Sequence, residues 1–241
     1  MKLNEYLKHL SYGELSNLKV GKDGTGEGIK QDRIPQVVNA INEALLRLYS
    51  RFVIKTNTVI LETNEVRTRY HLSSKHSWLC ADEDDKENPE FSDKFIRDDP
   101  EHPFTDDVIK VLQVISSGGM VLPLNNHSSK FSVFTPVFDV IEIPHGIEGG
   151  AFTVVYQAKH PKLDFNTNPE QEINIPYNLE GALSSYVAYI IYSNMNTQEA
   201  IANAQKYLSN YQAILQENVE MDLTQSSYSQ DNTKFKVNGW I

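Results

Sequence analysis

The side chains with the richest chemistry in this sequence are seven histidines, at 9, 71, 76, 102, 127, 145 and 160, and one cysteine, Cys80. No two of the histidines fall at the HxH, HxxxH or HExxH spacing that sets two ligands on one face of an element. His71 and His76 are five residues apart, which turns them to opposite faces of a regular strand. A single cysteine can form neither an intramolecular disulfide nor a Cys-based zinc site, which fits a reducing compartment. Cys80 stands beside Trp78 and a run of acids, with no neighbouring base to lower its pKa. The Gly-x-Ser-x-Gly elbow is also missing. The histidines are therefore expected to be surface or hydrogen-bonded side chains, with no catalytic residue, no metal site and no cofactor.

Two further stretches invite a ligand and fail on spacing. Asp82, Asp84 and Lys86 occupy the first, third and fifth positions of an EF-hand count, but lysine is no ligand and Glu87 replaces the turn glycine. In GKDGTGEG, Gly21 to Gly28, Lys22 follows the first glycine, whereas a phosphate-binding loop needs its lysine after the second. The glycine run is read as a flexible connection. Twelve acids and three bases lie between Asp82 and Asp107, a net −9 out of the chain's −10. With prolines at 89, 100 and 103, that stretch is expected to be a solvated loop. No basic footprint for gripping nucleic acid is present.

The elements that would position these residues follow from periodicity. At 241 residues and 40% apolar content, the chain can bury a large core without covalent staples. MKLNEYLKHL lacks a secretory apolar region, and no run approaches the roughly 20 apolar residues that span a bilayer, so a soluble protein made in the cytoplasm is expected. Leu3, Tyr6, Leu7 and Leu10 predict a short helix, and Ser11 with Glu14 a capping box that starts a second one toward Leu18. Asp32 then caps a long helix with Pro35 in its first turn and the stripe Ile34, Val37, Val38, Ile41, Leu45, Leu48 and Phe52. Its polar face, with Asn39, Asn42, Glu43, Arg47, Ser50 and Arg51, meets solvent or a neighbouring subunit.

Short runs rich in Val, Ile, Phe and Thr at 58–63, 66–72, 109–115, 120–124, 131–143 and 151–158 read as strands of an antiparallel meander. Helical spacing returns behind an Asn178 cap, and again behind Thr197, making an antiparallel hairpin. On that hairpin Tyr186, Tyr207 and Tyr211 lie on the apolar stripes and are expected in the core, while Tyr189 and Tyr192 lie off the stripe and suit a subunit contact, together with Arg47 and Arg51. Past Thr224 periodicity is lost, yet Phe235, Val237, Trp240 and Ile241 keep the end adhesive, which marks it as a docking arm. The fold class is thus expected to be α+β: a helical bundle domain of N-terminal helices plus a C-terminal helical hairpin, with an inserted antiparallel β module and an extended C-terminal tail. The expected boundaries are 1–57 for the first helical segment, 58–171 for the β module with its acidic loop 82–107, 172–223 for the hairpin, and 224–241 for the tail.

Three segments carry a resemblance: RIPQVVNAINEALLRLYSRF, FTVVYQAKHPKL, and INIPYNLEGALSSYVAYIIYSNMNTQEAIANAQKYLSNYQAIL. Together they resemble the head-to-tail adaptor, or connector, family of short-tailed bacteriophages, the group that includes tail tubular protein A. The resemblance covers roughly three quarters of the chain, mostly through apolar spacing. It implies a non-enzymatic virion protein located in the tail at the head-tail junction. Twelve copies would form a ring that joins the portal protein to the downstream tail or nozzle protein, and genome DNA would pass through without sequence-specific binding and without a membrane. It also implies that the end of the chain reaches onto the portal or a neighbouring subunit. The alternative reading is a soluble non-enzymatic interaction or assembly-chaperone module.

Overall fold

Leu3, Tyr6, Leu7 and Leu10 repeat at helical spacing, and they form the buried face of α1 (Leu3–Tyr12). The computed structural model describes residues 1–16, 29–64, 67–79, 93–99, 101, 103–143 and 150–221. The glycine run, Cys80, the EF-hand-like stretch and the tail residues Phe235, Val237, Trp240 and Ile241 lie outside the described residues. The chain divides into two units, one built from residues 1–54 and from Lys162 onward, the other from Lys55–Pro161.

In the helical unit, α1 continues past its last buried residue, Leu10, as far as Tyr12. Ser11 does not begin a new helix: its hydroxyl donates to Lys8 O (2.7 Å) inside α1. The second helix, α2 (Ile34–Arg51), buries Val37, Val38, Ile41, Ala44, Leu45, Leu48 and Tyr49. Asp32 does not cap it; Arg33 occupies the cap position without a side-chain bond, and Pro35 sits in the first turn. In α3 (Tyr177–Ser193) burial covers nearly the whole circumference, from Leu179 through Ala182 to Tyr192. Thr197 caps α4 (Gln198–Glu220) by accepting from Ala200 N at 3.2 Å. Asn178 lies inside the first turn of α3 instead of capping it, and there it donates through Nδ2 to Asn218 Oδ1 on α4. Asn218 in turn donates to Asn178 O (3.2 Å) and Ile214 O (2.8 Å), so a buried amide is satisfied across the hairpin.

The two ends of this unit are stitched by backbone. Leu3 N donates to Gln171 O (2.9 Å) and Ile173 N to Met1 O (2.8 Å). Asn42, on the supposed polar face of α2, holds Leu163 from both sides, donating to its carbonyl (3.0 Å) and accepting from its amide (2.8 Å). Tyr49 donates to Asn174 O. Residues 162–171, expected in the β module, pack with the helices.

The β unit contains β1 (Thr56–Glu62), β2 (Arg69–His71), β3 (Ser77–Leu79), β4 (Ile96–Asp98), β5 (Val108–Ile115), β6 (Val121–Leu122), β7 (Phe134–Val137), β8 (Val140–Glu142) and β9 (Ala151–Ala158). The larger sheet has the order β3-β4-β1-β9-β5-β6 and the smaller β2-β8-β7. The first long strand pairs with the last, Leu61 opposite Phe152 and Val59 opposite Val154, so their alternate residues enter one core. On β5 the buried residues are Val108, Val111 and Val114, three apart instead of two. The register against β9 slips by one residue between Val108 and Lys110 and again between Val111 and Gln113, and these two bulges return each valine to the core face.

The expected fold class is overturned. Among the described residues the chain is a mixed α+β protein with four helices and two sheets, and it is not a helical-bundle core carrying a small inserted β module. Nor is the β unit an antiparallel meander: β3 and β4 run parallel, and β1 reaches across the unit to β9. The second half of the acidic stretch is a built portion of that unit. Phe95, Ile96 and Phe104 are buried, β4 pairs with β1, and Asp98 Oδ1 accepts from Phe104 N (2.9 Å). Charge counting hid this because the apolar residues are few, although each enters the core.

Asp107 closes the acidic stretch by accepting from Tyr156 OH (2.8 Å) and Asn57 Nδ2 (2.9 Å). Asp107→Ala leaves both donors unpaired in a partly buried place, and should lower the β unit's stability by about 1–3 kcal/mol in chemical denaturation. Ile41 is 0% exposed. Ile41→Asp should abolish the cooperative melt of the helical unit, because an unpaired core carboxylate costs several kcal/mol; a retained helical circular-dichroism transition near the wild-type temperature contradicts that packing.

Candidate functional site

The apolar stripe of α4 is narrow. Ala200, Ala204, Tyr211 and Leu215 are buried, whereas Ile201 and Val219 are half exposed. Both α2 and α4 pack on α3, and between them lies an open groove of about 670 Å³. From α2 it is lined by Arg47, Ser50 and Arg51, and from α4 by Leu208, Tyr211, Leu215 and Glu220 among others. Two helices thus bring arginines and a tyrosine together from residues more than 150 positions apart.

Arg47 Nη1 donates to the Tyr186 hydroxyl at 2.9 Å, and its guanidinium carbon stands 5.0 Å from the centre of the same ring. The Tyr186 ring lies 4.7 Å from that of Tyr211 and 5.5 Å from that of Tyr189. Arg51 rests over Phe52, 5.9 Å from its ring centre. Among the described residues neither arginine makes an ion pair with a carboxylate. Tyr211 is 3% exposed, and its hydroxyl is enclosed beside the Arg47 guanidinium without a hydrogen bond of normal geometry. Burial pushes its phenol up and the nearby Arg47 charge pulls it partly back, so at neutral pH the group is a protonated donor. Chemically the groove offers hydrogen-bond donors and positive charge with one carboxylate, Glu220, on its rim. That carboxylate already accepts from Gln216 Nε2 (2.8 Å). The groove is suited to holding an acceptor, not to proton transfer or nucleophilic attack.

The subunit-contact candidates diverge here. Arg47 and Arg51 are exposed at the groove, and Tyr189 is half-buried against the Tyr186 ring. Tyr192 is 3% exposed and points inward: it stacks on Tyr207 with ring centres 5.5 Å apart, and both hydroxyls donate to Glu14 O, at 3.3 and 3.1 Å. Sequence reasoning missed the enclosed Tyr211 hydroxyl beside Arg47, since a stripe counts tyrosine only as apolar, and no one-dimensional signal marks which phenols find partners. His76, considered as a ligand, stacks on Phe95 (4.5 Å) with its Nδ1 2.9 Å from Asp93 O, and burial lowers its pKa. Among the described residues no group of three His, Cys, Asp or Glu could hold a metal ion, and no helix is long and apolar enough to cross a membrane. No family model matches the sequence, and no curated protein matches it either.

Tyrosine packing sets a pH response. Burial raises the phenols of Tyr6, Tyr49, Tyr70, Tyr156, Tyr192, Tyr207 and Tyr211, with Tyr49 pushed up to about 12. A raised folded pKa gives stability that is fully present below the unfolded value of about 10 and is lost as pH climbs through the folded values. Absorbance titration at alkaline pH should show these seven ionising together with loss of the folded circular-dichroism signal. Free titration of all twelve tyrosines near the ordinary value, with the fold intact, contradicts their burial.

Proposed function

We propose that this chain is a head-to-tail adaptor of a short-tailed bacteriophage: a non-enzymatic structural subunit that forms a ring, of twelve copies on the family pattern. The ring joins the portal protein to the downstream tail or nozzle protein, and the protein acts in the virion tail, at the head-tail junction. One observation carries the reading. The segments that resemble the family, RIPQVVNAINEALLRLYSRF on one side and INIPYNLEGALSSYVAYIIYSNMNTQEAIANAQKYLSNYQAIL on the other, stand more than a hundred residues apart, and they fold against each other as α2, α3 and α4 of one unit. A ring subunit needs two unlike faces, one for each neighbour. The chain's net charge of −10 also suits a channel that lets phosphates pass without gripping them.

The tail residues Phe235, Val237, Trp240 and Ile241 are the proposed contact with the portal or a neighbouring subunit, with Trp240 as a buried anchor. The test mixes the full chain, and a chain truncated at Thr224, with purified portal rings and examines them by native mass spectrometry and negative-stain imaging. The full chain should add a second ring to the portal, and the truncated chain should stay folded and unbound. A full chain that leaves portal rings bare overturns the adaptor reading in favour of a soluble interaction module. A truncated chain that binds as well as the full one moves the docking surface to the helical unit.

A further inference from the structure

The groove between α2 and α4 runs to the point where the chain leaves α4. Val219 and Glu220 line it, Met221 caps the helix, and the sequence continues through 222–241, outside the described residues. Arg47 and Arg51 both lie near Tyr211, ten residues back along α4 from Met221. Neither arginine meets a carboxylate among the described residues, and the rim carboxylate, Glu220, is engaged by Gln216. Two exposed guanidinium groups therefore stand beside an aliphatic strip made by Leu208, Leu215 and the half-exposed Val219.

We propose that residues 222–231 of this same chain turn back along α4 into the groove, with the Asp231 carboxylate held by Arg47 and Arg51 and with Leu223 and Tyr228 against the aliphatic strip. Length selects the carboxylate. From Tyr211 to Met221 is ten residues of helix, about 15 Å at 1.5 Å per residue. Asp231 lies ten residues past Met221, and ten residues of flexible chain span about 16–19 Å. Asp222 follows Met221 directly and falls short of that distance. Charge selects the segment. Residues 222–231 hold two acids and no base, whereas 232–241 hold two lysines and no acid. The groove's two arginines and one carboxylate favour the first and repel the second. The tether gives a local concentration in the millimolar range, so a contact of only millimolar intrinsic affinity is already half formed. The inference goes beyond the adaptor reading and does not need it, because the arm proposed to meet the portal, Phe235 to Ile241, lies past the pinned segment.

The test is zero-length carbodiimide cross-linking of the full chain carrying Arg51→Lys, which keeps the charge and supplies an amine that a touching carboxylate can acylate. Equal amounts of ordinary and heavy-isotope-labelled protein are mixed, and the linked peptides are read by mass spectrometry. The amine at position 51 should be joined to Asp231 about fivefold or more over Asp222, within single-isotope peptides. The yield should fall about threefold or more when Arg47→Gln is added or when salt is raised to about 0.5 M, and Asp231→Asn should remove the product. Both arginines are exposed, so an unchanged melting temperature will show that the variants are folded. No link to Asp231, a link mainly to Asp222 or Glu220, or a yield that neither Arg47→Gln nor salt changes overturns the proposal. Mixed-isotope peptides assign the groove to a second copy and overturn it too. The two readings fail separately: a missing link in a chain that still rings the portal sinks this contact alone, while an intact link with a bare portal sinks only the adaptor reading.

Discussion

Helix α3 is buried around almost its whole circumference, and the helical unit is arranged to satisfy that helix. Its apolar residues need partners on every side, which α1, α2 and α4 supply. Its polar atoms need partners as well. Ser184 meets the Tyr6 hydroxyl at 3.1 Å, Tyr186 takes a donor from Arg47, and Tyr192 reaches Glu14 O. Close approach is met by small residues: Ala182, Ser185 and Ala188 along α3 and Ala200 and Ala204 on α4. A Cβ at Gly181 would stand 3.3 Å from the tip of Ile214. Because α3 is encoded late and its partners α1 and α2 early, the unit cannot close until both ends of the chain exist.

The elements legible in the sequence were those where one periodicity ran long enough to speak. Eighteen residues of α2 and twenty-three of α4 show helical spacing with a polar opposite face. β1 and β9 show strand alternation. Illegibility has separate causes elsewhere. β3 and β4 have three residues each, too few for any period, and Ile96 sits among charges. The valines of β5 are three apart because two bulges shift the phase, a spacing that alone resembles a helix. Asn178 looked like a cap because caps and cross-helix amides draw on the same residue types.

The candidate site was half legible for a related reason. Arg47 and Arg51 stand out because a polar face on an otherwise buried helix has to meet something. Asn42 lies on the same face and turns out to meet Leu163, so facing outward in a helical projection does not mean facing solvent. Tyr192 makes the converse point: off the stripe of its own helix, it is buried because α3 is enclosed from more than one direction. Projection onto a single helix treats the core as lying to one side, and for a central helix that assumption fails.

The pairing of β1 with β9 has a mechanical meaning. Ala158 N donates to Lys55 O (3.0 Å), and Thr56 stands opposite Gln157, so the polypeptide enters and leaves the β unit through adjacent positions on one antiparallel pair. Tension applied through those two connections pulls on the ladder from its open end, and its hydrogen bonds break in succession, like a zip, instead of sharing the load in shear. The same closeness makes the unit a cassette: its excision leaves a gap that a short turn can bridge at little entropic cost.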